Sequence, residues 1–332
     1  MSAAAEPSRP LFVHLRAHTE YSVVDGTLRV DELVAAAAAD GQPAVAITDL
    51  ANLFGAVKFY SAARARGEQP LLGADVWLEA ESAAVAGVER PPTRLLLLVQ
   101  NSTGYLNLCT LLADAWTSNM HRQLACVSWT VLERHGQGLI ALSGADAGAV
   151  GQALLAGDTA RAEDLARRLA ELFPGRFYVE LQRAGLPNQE AHVRAAVPLA
   201  ARLGLPVVAT HPVQFLAPED YEAHEARVCI AEGETLGNPR RVKRFSREQS
   251  FKTAAQMQAL FADLPSALAN AVAIARRCHL RLTLGKPKLP DFPIPEVQGR
   301  RMDPEAYFRH VSFEGLDERL HVLYPDEAER ER

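Results

Sequence analysis

The first residues along the chain that could do chemistry are two histidines and an aspartate. His14 and His18 lie four residues apart at the end of an apolar run, and Asp25 follows seven residues later. Side chains four residues apart on a β-strand point to the same face, and imidazoles and carboxylates bind metal ions or act as general bases. The spacing therefore allows a metal or general-base cluster of His14, His18 and Asp25. The alternative is a pair of structural histidines that pack at a strand end. With no evidence beyond the two histidines, this alternative is favoured.

Composition and missing motifs narrow the function classes. The 332 residues are 48% hydrophobic and carry a net charge of −5, whereas an isolated duplex-DNA-binding domain usually has a positive excess. The sequence contains no P-loop, no Gly-x-Ser-x-Gly elbow and no HExxH motif. No apolar stretch resembles a signal peptide or a membrane span, so we expect a cytoplasmic protein. The cysteines form no CxxC pair, which is typical of thiols in a reducing compartment; they are Cys109, Cys126, Cys229 and Cys278.

Short apolar, β-branched runs must position the candidate site. They predict strands at residues 11–15, 44–48, 71–78, 94–99, 138–143, 177–181 and 206–209. Helical patterns cover residues 28–39, 56–66, 106–117, 149–155, 160–172, 188–203, 218–232, 254–261 and 265–278. This alternation predicts an α/β fold with a mainly parallel sheet, in which functional groups gather at the carboxyl ends of the strands. A closed α/β barrel and an open doubly wound sheet both satisfy the periodicity.

Several separate blocks of the sequence carry a family resemblance. They are FVHLRAHTEYSVVDG (12–26), AVAITDLANLFGAVKFY (44–60), PLLGADVWL (70–78), NSTGYLNL (101–108), ALSGADAGAV (141–150), PVVATHPVQF (206–215), RVCIAEGETLGNPRR (227–241), LPSALANAVAIARRC (264–278) and LPDFP (289–293). In this order and spacing they resemble the PHP (polymerase and histidinol phosphatase) domain of bacterial replicative DNA polymerase III alpha subunits. The resemblance covers residues 12 to 325 and implies a distorted seven-stranded, TIM-like α/β barrel.

The resemblance also implies a domain organisation. A disordered N-terminus (1–10) precedes the PHP domain (11–284). The segment 285–295 holds four prolines, which exclude a regular helix or a central strand, so residues 285–300 are expected to be a linker. Residues 301–332, in which a helical pattern resumes, are expected to begin the helical polymerase core segment.

Metal-competent members of the family resemble trinuclear phosphoesterases whose ligands lie at the strand ends. Carried over residue by residue, the resemblance leaves a vestigial set of three positions that can still bind a metal: His18, Asp25 and Asp75. The remaining ligand positions are occupied by Arg16, Leu50, Arg94, Ala145, Pro212 and Gln214. His211 could be a substitute metal ligand. Because the other ligand positions are replaced, a structural role as a polar residue at the end of a strand is favoured for it.

Two of the replacements are arginines, which are never neutral ligands at physiological pH. We hypothesise that Arg16 or Arg94 pairs with Asp25 or Asp75, so that an ion-pair network replaces the charge of the metal.

A basic run near residue 240 is a further candidate site. Arg240, Arg241, Lys243 and Arg244, followed by Arg247, could form a loop that contacts phosphate groups. A solvated loop is the alternative, which the acidic whole chain favours. The tryptophans, Trp77, Trp116 and Trp129, fall within predicted elements and are expected to be core or interface residues.

Three functions are compatible with the resemblance. The first is a catalytically silent module that supports a replicative polymerase, with the rest of the alpha chain and a separate proofreading exonuclease subunit as partners and DNA contacted through the full-length protein. The second is a metal-dependent 3′–5′ exonuclease or phosphoesterase, and the third is a small-molecule phosphatase of the histidinol-phosphate type. Loss of ligands disfavours the second and third. We therefore expect no catalytic residue and no cofactor in this domain; the Mg²⁺-dependent polymerase chemistry of the family requires carboxylates of a later palm region.

Overall fold

Runs rich in leucine, valine and isoleucine form the strands of the molecule. The computed structural model describes residues 12–81, 90–287, 291–297, 299 and 301–330. In these ranges the strands are β1 (Ala44–Ile47), β2 (Gln69–Leu78), β3 (Thr93–Val99), β4 (Met120–His121), β5 (Leu124–Val127), β6 (Leu139–Leu142), β7 (Phe177–Gln182) and β8 (Val207–Thr210). Six match predicted strands. The β4–β5 hairpin was not predicted, because elements of two and four residues carry too little periodicity to recognise.

The sheet is mixed but mainly parallel, as predicted: among the described strands, β3 and the short β4 run against the other six. The strand order is β4-β5-β2-β3-β6-β7-β8, with β1 parallel to β2. β3 runs antiparallel to both β2 and β6. No helix was predicted between β2 and β3, and a chain that reverses without a crossover helix forms an antiparallel pair. The α/β fold class itself is confirmed.

The segment that carries His14, Arg16 and His18 is extended, but it is not a regular strand. Its first predicted residue, Leu11, lies outside the described residues. The backbone N–H groups of Ala46 and Thr48 donate to the carbonyls of His14 and Ala17, each at 2.9 Å. On the other side, the N–H of His18 donates to the carbonyl of Val213 at 2.9 Å. Residues 12–18 therefore lie between β1 and the chain that follows β8. They are held by isolated backbone hydrogen bonds and do not form a continuous ladder.

The helices follow the predicted patterns closely. They are α1 (Val30–Ala39), α2 (Ala56–Ala65), α3 (Ser102–Thr117), α4 (Trp129–His135), α5 (Ala149–Leu155), α6 (Thr159–Leu172), α7 (Gln189–Leu203), α8 (Tyr221–Glu232), α9 (Ala254–Leu260), α10 (Pro265–Arg277), α11 (Pro304–Leu323) and α12 (Glu327–Arg330). Only the short helices α4 and α12 were not predicted. Several begin where a side-chain oxygen of Asn101, Ser128 or Asp158 caps the first turn. Among the described residues, no helix is long and apolar enough to cross a membrane.

The chain divides into two compact units, one up to Arg281 and one from Leu282 onward. The first unit contains the sheet and α1 to α10, and its core is built from the inward faces of these elements. α1, for example, buries Val30, Leu33 and Val34, the face that its apolar periodicity predicts. In the second unit, residues 285–287 and 291–297 contain none of the helices or strands, and α11 follows. The predicted disordered N-terminus and parts of the predicted linker lie outside the described residues.

Candidate functional site

The predicted site is centred on Asp75, a fully buried carboxylate on β2. Arg16 donates to Asp75 through Nη1. Arg94, at the start of β3, donates through Nε to Oδ1 at 3.2 Å and through Nη2 to Oδ2. Nε2 of His18 lies 3.2 Å from Oδ2. The hypothesis that Arg16 or Arg94 pairs with Asp25 or Asp75 is therefore confirmed for Asp75, which pairs with both arginines.

A second carboxylate, Glu180 on β7, holds the other side of Arg16. Nε and Nη2 of Arg16 donate to Oε1 and Oε2 of Glu180 at 2.9 and 3.1 Å. The remaining acceptor positions of Glu180 are filled by the N–H of Gly144 at 3.0 Å, Oγ1 of Thr210 at 2.6 Å and the Gln182 amide at 3.1 Å. Sequence reasoning missed Glu180. The available signal was a glutamate in a strand whose six residues are otherwise uncharged, which predicts a buried and paired charge.

Asp25 pairs with His18, and no arginine in the described part of the chain forms an ion pair with it. Its Oδ1 lies 3.0 Å from Nδ1 of His18, while the other ring nitrogen of His18 faces Asp75. Burial alone would lower the pKa of His18, but the carboxylates of Asp25 and then Asp75 outweigh it and raise the pKa to about 9. His18 is therefore a cation at neutral pH. The amide nitrogen of Gln214 lies 3.4 Å from its Nδ1.

The cluster balances its own charge. The cations Arg16, Arg94 and His18 face the carboxylates of Asp25, Asp75 and Glu180. Burial alone would raise the pKa of Asp75, but the two guanidinium groups outweigh it and hold the pKa far below its usual range. Burial alone would lower the pKa of the Arg16 guanidinium, but the carboxylates of Asp75 and Glu180 outweigh it and raise that pKa. Buried charges of this kind are tolerated only when each is paired and hydrogen-bonded, which is the arrangement found.

No imidazole, thiol or carboxylate stands at the other positions where the resemblance implies lost ligands, which are Leu50, Ala145, Pro212 and Gln214. Leu50 forms a backbone bridge with Asp75, and Ala145 follows the glycine that donates to Glu180. That glycine, Gly144, has φ +80°, and a Cβ there would lie 2.2 Å from the carbonyl oxygen of Arg94. A side chain there would therefore collide with the backbone of Arg94, whose guanidinium holds Asp75. Pro212 and Gln214 follow β8 and flank Val213, which bridges to Ala17.

Asp49, which precedes Leu50, has a structural role. Its carboxylate accepts hydrogen bonds from the N–H of Thr19 at 2.6 Å, from Oγ1 of Thr19 at 2.9 Å and from Oγ of Ser22 at 3.0 Å. Burial raises its pKa, and the bonds from Thr19 oppose that rise. Asp49 thus fixes the turn between His18 and Asp25.

His14 and His211 form a separate pair away from the cluster. Nε2 of His14 donates to the carbonyl of Lys252 at 2.7 Å, and Nε2 of His211 donates to the carbonyl of Glu248 at 2.8 Å. Their ring centroids are 6.3 Å apart. Burial lowers the pKa of His14 to about 4 and that of His211 to about 3, so both rings are neutral. The structure therefore does not bring His14 to His18, and it gives His211 the role of a structural polar residue.

The basic run lies beside α8. Arg241 is buried in an ion pair with Glu225, and Arg244 lies 3.2 Å from Glu232. Arg247 covers the ring of Tyr221, with 5.2 Å between the guanidinium carbon and the ring centroid. Arg240 and Lys243 form no ion pair within the described residues. A phosphate contact therefore stays a proposal, and it depends on these two exposed cations.

The side chains at the strand ends do not fit the trinuclear metal centre that the resemblance implies. Both oxygens of Asp75 are occupied by guanidinium nitrogens, and both ring nitrogens of His18 face carboxylates. A dication would meet the fixed positive charges of Arg16 and Arg94. In the part of the chain that the structure describes, no group of three His, Cys, Asp or Glu side chains is arranged to hold a metal ion.

Comparisons with known proteins identify relatives along nearly the whole chain. The sequence profile of the PHP domain matches residues 14–184. DNA polymerase III subunit alpha of Pseudomonas aeruginosa is 48% identical over 317 residues, which is 96% of this chain and 26% of the relative. The corresponding subunits of Neisseria meningitidis serogroup B and Escherichia coli K12 are 46% and 43% identical over 97% of this chain. The chain spans 26 to 28% of the length of these relatives.

Solved structures give more distant similarities. An amidohydrolase from Chromobacterium violaceum is 14% identical with a TM-score of 0.42, covering 65% of this chain and 96% of that protein. A two-domain protein from Bacteroides vulgatus, which contains a predicted PHP-like metal-dependent phosphoesterase, is 12% identical with a TM-score of 0.36, covering 80% of this chain and 68% of that protein. Both TM-scores are below 0.5, so neither similarity carries an argument about the site.

Proposed function

The chain belongs to the PHP domain family, and on that premise we propose that it is the PHP module of a bacterial DNA polymerase III alpha subunit, acting in DNA replication as a metal-free structural and partner-docking domain. Identity of 43 to 48% to the N-terminal region of such subunits supports the assignment. In this proposal residues 11–284 are the PHP domain, 285–300 a linker and 301–332 the start of the polymerase core. DNA polymerisation with Mg²⁺ would belong to the longer protein.

One observation carries the metal-free part of the proposal: Asp75 accepts hydrogen bonds from both Arg16 and Arg94. In a metal site of this shape, a cation would hold carboxylates from several strands together. Here Arg16 contacts Asp75 on β2 and Glu180 on β7, and Arg94 holds Asp75 from β3. The guanidinium groups thus supply the cross-link and the positive charge, and His18, Asp25 and Asp75 are the remnant of a phosphoesterase site.

Metal analysis distinguishes this proposal from a residual metal-dependent 3′–5′ exonuclease or phosphoesterase. The purified chain would be treated with chelator, titrated with Mn²⁺ and Zn²⁺ by calorimetry, and incubated with a single-stranded oligonucleotide labelled at its 5′ end. We expect no stoichiometric binding, no metal-dependent rise in melting temperature and no shortening of the oligonucleotide. Stoichiometric binding together with shortening that disappears in Asp25→Asn would overturn the metal-free proposal.

The docking role has its own test. Its proposed partners are the rest of the alpha chain and the proofreading exonuclease subunit of the same replicase, as the family resemblance implies. Calorimetry or surface plasmon resonance with that exonuclease subunit is expected to give a dissociation constant of about 1 µM or tighter, which corresponds to about −8 kcal/mol. Absence of binding at tens of micromolar would remove the exonuclease subunit as a partner.

A further inference from the structure

Two arginines are held close together at the amino end of β7. Arg176, which leads into β7, donates through Nη1 to the carbonyls of Gly136 at 2.7 Å and Leu139 at 2.6 Å. Arg277, at the end of α10, donates through Nη2 at 2.9 Å to the carbonyl of Gly175, the residue that precedes Arg176. Because these bonds end on adjacent parts of the backbone, the two guanidinium groups are neighbours.

A buried tyrosine fixes the same pair and shows where it lies. Nη1 of Arg277 donates to the hydroxyl of Tyr178 at 2.7 Å. Tyr178 is buried and follows Arg176 by two residues, on the same face of the strand. Glu180 lies two residues further along that face, so about 13 Å separates its Cα from that of Arg176. The arginine pair is therefore at the opposite end of β7 from the cluster around Asp75.

No carboxylate among the described residues compensates these two charges. Neither Arg176 nor Arg277 forms an ion pair there, and residues 264–290 contain no aspartate or glutamate. Burial and the neighbouring charge of Arg277 both lower the pKa of Arg176. Buried Arg16, by contrast, is paired with two carboxylates. Like charges partly removed from water repel each other, and an anion beside both guanidinium groups would remove that repulsion.

Each of the two guanidinium groups has N–H groups left for such an anion. A guanidinium carries five N–H groups. Arg176 uses two of them on Nη1, and Arg277 uses one on each Nη, so three on each side chain have no partner in the described part of the chain. Both residues are half-buried, which reduces competition from water. The planar fork of an arginine binds a carboxylate or a phosphate through two parallel bonds.

We propose that Arg176 and Arg277 form an oxyanion site that receives a carboxylate side chain from an acidic segment of a partner protein. A nucleic-acid strand fits less well, because it binds along a positively charged groove that follows its backbone, and this chain is acidic as a whole. A single carboxylate needs only the two half-buried guanidinium groups. The identity of the partner rests on the docking role proposed above, whereas the oxyanion chemistry rests on the contacts of the two arginines.

Nuclear magnetic resonance of arginine side chains tests the site on the whole 332-residue chain. The probe is a short synthetic peptide with two adjacent glutamates, and its control has glutamines in their place. Acetate, compared with chloride at the same ionic strength, tests the carboxylate group alone. We expect the glutamate peptide and acetate to shift the Nε–H resonances of Arg176 and Arg277 together and to saturation. The resonance of Arg64, an exposed arginine on α2, should not saturate.

Three variants test the contribution of each group to peptide binding. Arg277→Gln keeps a donor for the carbonyl of Gly175 but removes the charge, and it should weaken binding of the glutamate peptide about tenfold or more. Tyr178→Phe keeps both charges and removes the acceptor that positions Nη1 of Arg277, so it should weaken binding by a smaller factor. Arg64→Gln is the matched control and should leave binding unchanged.

Three outcomes overturn the inference. The first is equal shifts of the Arg176 and Arg277 resonances with the glutamate and glutamine peptides, or with acetate and chloride. The second is peptide binding that Arg277→Gln leaves unchanged or that Arg64→Gln weakens equally. The third is binding of inorganic phosphate or of a single-stranded oligonucleotide to the two arginines when the glutamate peptide does not bind, which would make the pair a phosphate site.

Binding of the proofreading exonuclease subunit separates failure of this inference from failure of the docking role. Weaker binding of that subunit by Arg277→Gln, with Arg64→Gln unchanged, supports the oxyanion site as a docking contact. Equal binding of that subunit by the parent and Arg277→Gln overturns this use of the site and leaves the docking role intact. If the exonuclease subunit does not bind but the glutamate peptide does, the oxyanion chemistry holds and the proposed partner is wrong.

Discussion

The guanidinium of Arg16 and the carboxylate of Glu180 form two parallel hydrogen bonds, Nε to Oε1 at 2.9 Å and Nη2 to Oε2 at 3.1 Å. Nη1 of Arg16 is left free to donate to Asp75. Because Glu180 lies on β7 and Asp75 on β2, one side chain joins two strands that are not neighbours in the sheet. A lysine could not do this, since it lacks the planar fork that two carboxylates can share. Arg16 is accordingly the residue on which the cluster depends most.

Replacing Arg16 by alanine is expected to destabilise the protein strongly. The change leaves Asp75 and Glu180 buried with fewer cations, and removing one partner of a buried ion pair typically costs about 3–5 kcal/mol. Urea unfolding followed by circular dichroism measures the loss. Arg194→Ala, whose side chain is 79% exposed, is the control and should change the free energy of unfolding by no more than about 0.5 kcal/mol. A loss in Arg16→Ala no larger than in the control would contradict the cross-linking role.

Neutralising either carboxylate beside His18 is expected to lower the pKa of that histidine from about 9. Asp25 makes the largest favourable contribution and Asp75 the next, so Asp25→Asn should lower the pKa more than Asp75→Asn. Nuclear magnetic resonance titration of the His18 ring protons measures both values. A His18 pKa that stays near 9 in both variants would show that these carboxylates do not hold its charge.

The charged His18 should stabilise the folded protein at neutral pH, and this stabilisation should be lost in alkali. Its pKa is raised to about 9 in the folded state, against about 6.5 in an unfolded chain. As the pH rises, the unfolded state loses this proton at a lower pH than the folded state. The contribution of His18 to the free energy of unfolding is therefore complete below pH 6.5 and is lost as the pH rises through 9. The loss is on the order of 3 kcal/mol. Because unfolded chains release thiol protons at about pH 8.5, the measurement is the difference between the parent and His18→Gln in the pH dependence of unfolding. Equal curves would refute the assignment.

His14 and His211 should make the protein sensitive to mild acid. Both are held neutral by burial, with pKa values of about 4 and about 3. Below pH 6.5 the unfolded state therefore binds protons that the folded state does not bind. Their contribution is complete above pH 6.5 and is lost as the pH falls toward 4, by roughly 3 kcal/mol for His14 alone. The measurement is the unfolding free energy at pH 7 and pH 5 in the parent and in His14→Gln and His211→Gln. An equal acid loss in all three proteins would assign the effect to other groups.

The sequence predicted most of the elements but not all of their pairings. Apolar runs located six of the eight strands and the longer helices, because burial of one face imposes a period that can be recognised locally. The direction of β3 depended on what connects it to β2, and an expected parallel order failed there. The short β4–β5 hairpin could not be recognised, because its turn residues Arg122 and Gln123 both have positive φ without being glycine.

The candidate site was also predicted only in part from the sequence. The family resemblance predicted a pairing between Arg16 or Arg94 and Asp25 or Asp75, and the structure places both arginines on Asp75. Glu180 was missed, since nothing local to β7 says that its side chain faces the segment 12–18.

By itself, the sequence determined the α/β class and the family, because these follow from residue type and short-range order. Only the tertiary structure decided which carboxylate each cation meets: Asp25 takes His18, Asp75 takes both arginines, and Glu180 shares Arg16. The physical reason is that electrostatic pairing depends on distances of a few ångströms between residues far apart in the chain. Those distances exist only once the strands are packed.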